Sequence, residues 1–103
     1  MDGFTVIAEP TRRSIVDRLR VGEHDVGALV RGLGISQSLV SKHLRVLREA
    51  GVVEAQVVGK RRVYRLTEQP LPDVIAWVQP FVDRWAASFD RLAQALDDEG
   101  QRP

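Results

Sequence analysis

Five side chains, Gln37, Ser38, Ser41, Lys42 and Arg45, recur at the spacing of one helical face. Short polar groups come first and cations follow. A face of that kind brings its early residues to base edges while its cations reach phosphates. Ser36, just ahead of them, has a hydroxyl suited to accept a hydrogen bond from an orphan amide of the first turn. Val40, Leu44 and Leu47 fall at i, i+4 and i+7 and mark the opposite, buried face, and Gly51 stands where a left-handed cap would end the helix. The pattern predicts a DNA recognition helix in which Ser36, Gln37, Ser38, Ser41, Lys42 and Arg45 face the duplex.

Other chemistries find no residues to carry them. There is no cysteine, which removes disulfides, thiolate metal sites and cysteine nucleophiles together. No nucleophile–base pair, glycine-rich phosphate loop or carboxylate cluster appears, so an enzyme is not expected. The two histidines, His24 and His43, lack ligand spacing, and neither a metal site nor another cofactor is predicted. His24 reads as a loop residue.

The net charge of +1 conceals a strong asymmetry. Residues 1–35 are neutral. Residues 36–65 carry seven cations against two acids, a net +5, and residues 66–103 are acidic at −4. Cations gathered on one third of a chain are the footprint of a polyanionic partner. A hydrophobic fraction of 44% supports one packed domain over 1–103, and 28% charged residues disfavour a membrane protein. No basic-then-apolar leader opens the sequence, which points to the cytoplasm.

The elements that position the recognition helix can be read in order. Phe4 and Ile7 share a helical face in a segment too short to stand alone, and they are expected to pack against another element, in a second chain for instance. Glu9-Pro10 opens a helix over 10–20 with a stripe of Ile15, Val16 and Leu19. Arg12 and Arg13 on it read as solvated, with contact to a phosphate as the alternative. Asp25 is a candidate cap for a helix over 26–33, after which Gly34 turns the chain into the central helix. Helix, glycine turn, helix is the helix-turn-helix arrangement.

Two alternating runs follow, 52–58 and 62–66, joined by Gly59-Lys60-Arg61. A hairpin with a cationic tip directly after a recognition helix reads as a wing at about 52–67. Lys60, Arg61 and Arg62 are then its DNA contacts. The same charges would also keep an edge hairpin from aggregating.

Pro72 begins a last helix, to about residue 97, with Val78, Val82, Trp85, Phe89, Leu92 and Leu96 at alternating gaps of four and three. This heptad seam, widened at its beginning by Ile75, Trp77 and Phe81, predicts a two-fold dimer through the terminal helices; docking on the chain's own core is the rival reading. The predicted dimer interface comprises Phe4, Ile7, Val78, Phe81, Val82, Trp85, Phe89, Leu92 and Leu96. Pro80 should kink or interrupt the helix, and the tail 97–103 should fray. The fold class is therefore mainly α with a β-hairpin wing (α+β), a winged helix-turn-helix in the order α-α-α-α-β-β-α.

With Glu9-Pro10-Thr11-Arg12-Arg13 and Ile15, the stretch Ser36 to Gly51, and Gly59-Lys60-Arg61-Arg62-Val63-Tyr64 in this order, the chain resembles the ArsR family of winged helix-turn-helix repressors over nearly its whole length. The resemblance implies a homodimer with its interface on the terminal helices, repression of an operator, release by an inducer, DNA contact by Gln37, Ser38, Ser41 and Lys42, and for His43 a partly buried structural place beneath the DNA-facing surface, with donation to a phosphate as the alternative. It departs from metal-responsive members, which carry paired cysteines where this chain has Asp25-Val26-Gly27, and no histidine follows His43. The chain looks like the cysteine-free branch, and its inducer is not identified. The expected function is sequence-specific binding of double-stranded DNA at a pseudo-palindromic operator; the alternative is a winged-helix protein-interaction module. A double-stranded RNA reader is disfavoured because a helix cannot enter the narrow A-form major groove.

Overall fold

The computed structural model describes residues 1–101. Its elements are α1 (Gly3–Ala8), α2 (Pro10–Val21), β1 (His24–Asp25), α3 (Val26–Leu33), α4 (Gln37–Glu49), β2 (Val53–Val58), β3 (Arg61–Leu66) and α5 (Pro72–Gly100). They fall into two compact units, Met1–Asp73 and the part of α5 from Val74 onward.

The core of the first unit joins every helix of that unit before α5 to the sheet. Val6 of α1, Ile15 and Leu19 of α2, Leu29 of α3, and Val40, Leu44 and Leu47 of α4 pack with Val52, Val53 and Tyr64. The stripes read from periodicity in α2 and α4 are thus the inward faces of those helices, with Val16 half-buried. In α1, however, the fully buried side chain is Val6. Ile7 packs half-buried against the core of its own unit, while Phe4 is exposed.

A six-residue helix cannot hold itself together, and α1 is fastened at both ends by polar groups. Asp2 caps the Thr5 amide at 2.7 Å, and Asp73 accepts from the Gly3 amide at 2.8 Å. At the other end Arg12 donates to the carbonyls of Val6 (2.8 Å) and Thr5 (3.2 Å), and Arg13 to that of Ile7 (3.0 Å). These arginines, expected to be solvated, satisfy the orphan carbonyls of a helix end.

The sheet corrects the expected two-stranded hairpin. It has three antiparallel strands in the order β1-β3-β2, with His24 opposite Tyr64 and Asp25 opposite Val63. His24 is therefore a strand residue, not a loop residue. Two residues are too few to show alternation, and their partner lies about forty positions away. The hairpin register runs from Val53↔Leu66 to Val58↔Arg61, so the loop is Gly59-Lys60 alone and Arg61 begins β3. A positive φ at the first of two loop residues only, +63° at Gly59, is the II′ pattern that matches strand twist.

In the second unit α5 runs unbroken through Pro80 and on to Gly100, past the expected end at 97. Pro80 has no amide to offer the Ala76 carbonyl, yet the helix is not interrupted. Asp97–Gly100 is helical rather than frayed; Arg102 and Pro103 of the expected tail lie outside the described residues. Val82, Trp85, Phe89, Leu92 and Leu96 are exposed along α5, as is Phe81, whose ring lies 5.2 Å from that of Trp77. Val78 is half-buried. No helix among the described residues is long and apolar enough to cross a membrane.

Glu9 separates α1 from α2 and caps the latter, its carboxylate accepting from the Arg12 amide at 2.8 Å. That bond, helped by the Thr11 amide and by His43 and working against burial, holds the carboxyl below the ordinary glutamate value. A lowered carboxylate contributes stability above its unfolded pKa and loses it as pH falls through the folded one. Glu9→Gln should therefore melt below the unsubstituted chain at pH 7, and the gap should close as pH drops from about 5 to 3. Thermal denaturation followed by circular dichroism checks this.

Candidate nucleic-acid interface

The interface is built on a turn. Gly34 ends α3 at φ +69°, a left-handed conformation that costs glycine nothing, and its amide bonds the Val30 carbonyl at 2.9 Å. Ser36 then caps α4, accepting from the Leu39 amide at 3.2 Å. At the far end the Gly51 amide reaches the Arg48 carbonyl (3.0 Å) and the Val52 amide the Leu47 carbonyl (2.9 Å). With Gly51 at φ +78°, this is a complete Schellman closure. Both ends of α4 are therefore tied by local chemistry.

Its roll about its own axis is set by burial of Val40, His43, Leu44 and Leu47. Ser36, Gln37, Ser38, Ser41, Lys42 and Arg45 are all exposed, and the five from Gln37 onward share the opposite face. Leu39, 38% exposed, stands at the edge of that face, which the sequence pattern presents as wholly polar. The Ser36 hydroxyl accepts the capping bond through one lone pair, which leaves its O–H able to donate outward. Arg45 is paired with Glu49 one turn on, at 3.1 Å. Lys42 has no ion-pair partner among the described residues.

His43 is 9% exposed and faces Glu9, its Nδ1 lying 3.7 Å from Oε2 without a hydrogen bond. It is a core residue of α4. No group of three or more His, Cys, Asp or Glu able to hold a metal occurs among the described residues. Ser14, Asp17 and His24 line a shallow depression of about 430 Å³ with Arg18, Val21 and Leu33. No hydrogen bond joins the three, and the His24 Nδ1 lies 2.8 Å from the Gly22 carbonyl, so they do not form a relay.

On the wing the cations are not equivalent. Lys60 and Arg62 are exposed without an ion-pair partner among the described residues. Arg61 lies 3.4 Å from Asp25. Arg65 bonds Glu54 across the hairpin at 2.6 Å and lies 3.7 Å from Glu23, and the Glu54 bond raises its pKa. The positive charge left uncommitted is thus concentrated at the tip. Pairing of Arg45 with Glu49 is visible in the sequence as an i,i+4 spacing, whereas Asp25 and Arg61 are brought together only by the β1–β3 ladder.

A capped helix-turn-helix followed by a short basic hairpin defines the class, a winged helix-turn-helix protein. The sequence profile of the bacterial regulatory protein arsR family matches residues 9–55. The HTH-type transcriptional regulator Rv2034 of Mycobacterium tuberculosis is 41% identical over 94% of this chain and 88% of its own length. The transcriptional repressor SdpR of Bacillus subtilis is 33% identical over 79% and 90%. Among solved structures, a possible transcriptional regulator for arsenical resistance superposes with a TM-score of 0.70 at 41% identity, covering 85% of this chain and 96% of that one. The homodimeric winged helix-turn-helix DNA-binding domain Mb0332 of Mycobacterium bovis gives 0.65 at 30%, covering 82% and 78%. The chain belongs to the ArsR family of transcriptional regulators.

Because the Ser36 hydroxyl serves the first turn of α4, Ser36→Ala should cost about 1 kcal/mol of unfolding free energy. Urea denaturation should show it as a lowered midpoint at unchanged slope.

Proposed function

We propose that the chain is a DNA-binding repressor that acts in the cytoplasm as a homodimer on a pseudo-palindromic operator. The observation that carries this is the polar face of α4, exposed and capped at both ends, beside a wing whose tip cations Lys60 and Arg62 have no ion-pair partner among the described residues. In this reading α4 enters the major groove. Ser36 faces the duplex at the helix start, Gln37, Ser38 and Ser41 meet base edges, and Lys42 and Arg45 meet phosphates. The wing grips the flanking strand through Lys60, Arg61 and Arg62. The whole chain works as one DNA-binding domain, α5 supplies the dimer contact through Val78, Phe81, Val82, Trp85, Phe89, Leu92 and Leu96, and Phe4 and Ile7 of α1 are further dimer contacts. The homodimeric state of the Mycobacterium bovis neighbour and the exposed heptad seam of α5 support pairing.

The two kinds of contact should separate by mutation. Lys60→Ala should weaken specific and scrambled duplexes alike and flatten the salt dependence by about 0.9 in log–log slope for each phosphate no longer neutralised. Gln37→Ala should instead cost about 1–3 kcal/mol on a selected operator and little on the scrambled one. Fluorescence anisotropy across a salt series reads both, and identical behaviour of the two variants would contradict the division of roles. For the dimer, Trp85→Asp should yield monomers in sedimentation equilibrium; an unchanged mass would remove α5 from the interface.

A further inference from the structure

The Asp25 carboxylate serves two elements at once. One oxygen accepts from the Ala28 amide at 2.8 Å and caps α3. The other lies 3.4 Å from Nη1 of Arg61, the first residue of β3. The partners differ in freedom. The Asp25 side chain is 22% exposed, its backbone pairs with Val63 and its cap bond fixes the carboxylate; the Arg61 side chain is 65% exposed and has Asp25 as its one ion-pair partner among the described residues. The anion is held and the cation is able to leave.

A carboxylate facing a guanidinium offers the same acceptor chemistry as a phosphate oxygen. We propose that Asp25 sets DNA affinity by holding Arg61 as an internal stand-in for phosphate, so that a docking strand must displace a carboxylate before Arg61 engages it. This rests on the DNA-binding reading of the wing. Lys60 and Arg62, on either side, meet the strand without that exchange. A cation already neutralised by the protein releases fewer counterions on binding, so Arg61 contributes less than a full phosphate contact to the salt dependence.

Asp25→Asn removes the charge and keeps a cap of equal quality; Asp25→Ser is a second neutral variant that also caps. Both should raise duplex affinity at fixed salt, by about threefold per protomer for an exposed pair, and steepen the salt slope. Both should also elute from heparin at higher salt. On an Arg61→Ala background the gain should vanish. An equal gain on that background would mean that removal of negative charge acts generally, and would overturn the proposal. So would unchanged or weaker binding in variants with unaltered melting. Heparin needs no operator, so its arm tests the Asp25–Arg61 tie even if the unsubstituted chain ignores duplex at low salt, a result that would count against the DNA-binding reading itself.

Discussion

Burial of Val40, Leu44 and Leu47 is the contact on which the rest of the first unit depends, because it sets which way α4 is rolled. A helix presents a new side chain every hundred degrees, so a small error in roll would exchange Ser38 and Ser41 for neighbouring residues at the surface. Three aliphatic side chains in one core with all three preceding helices and with Val52 and Val53 remove that freedom. The Ser36 cap and the Gly51 closure then fix where along its axis the helix starts and stops. Orientation comes from the core and position from the ends.

Much of this is readable from residues because it is local. The Asp25 and Ser36 caps, the Gly34 turn, the 26–33 helix and the apolar stripes are all set by neighbours within one or two turns. What escapes is non-local. The β1 strand consists of two residues whose ladder partner is far away in the chain. Arg12 and Arg13 look like surface cations because the carbonyls they satisfy are displayed only once α1 folds back against α2. Arg61 reads as a loop cation because nothing in its neighbourhood reveals a two-residue turn or a carboxylate on another element. Leu39 differs from these: its position at the margin of the polar face follows from helical spacing alone.

α5 shows a different limit. Its seam is plain in the sequence, and the side chains from Phe81 to Leu96 that form it are exposed in a single chain. Pro80 does not interrupt it, since one missing amide in a helix of 29 residues leaves most of the hydrogen-bond ladder in place. Six large apolar side chains along one helix are more than a solvated surface ordinarily carries, which is why their periodicity says more about association than about the fold of one copy.

The two-residue loop at Gly59-Lys60 constrains how this hairpin can change over evolutionary time. Side chains alternate between the two faces of a sheet, so lengthening each strand by one residue would turn the tip pair to the opposite side. An addition to one strand alone would leave a bulge. A longer reach that keeps the same aim therefore requires two residues on both strands together, and single-codon insertions in this segment should be rare among descendants that retain the cationic tip.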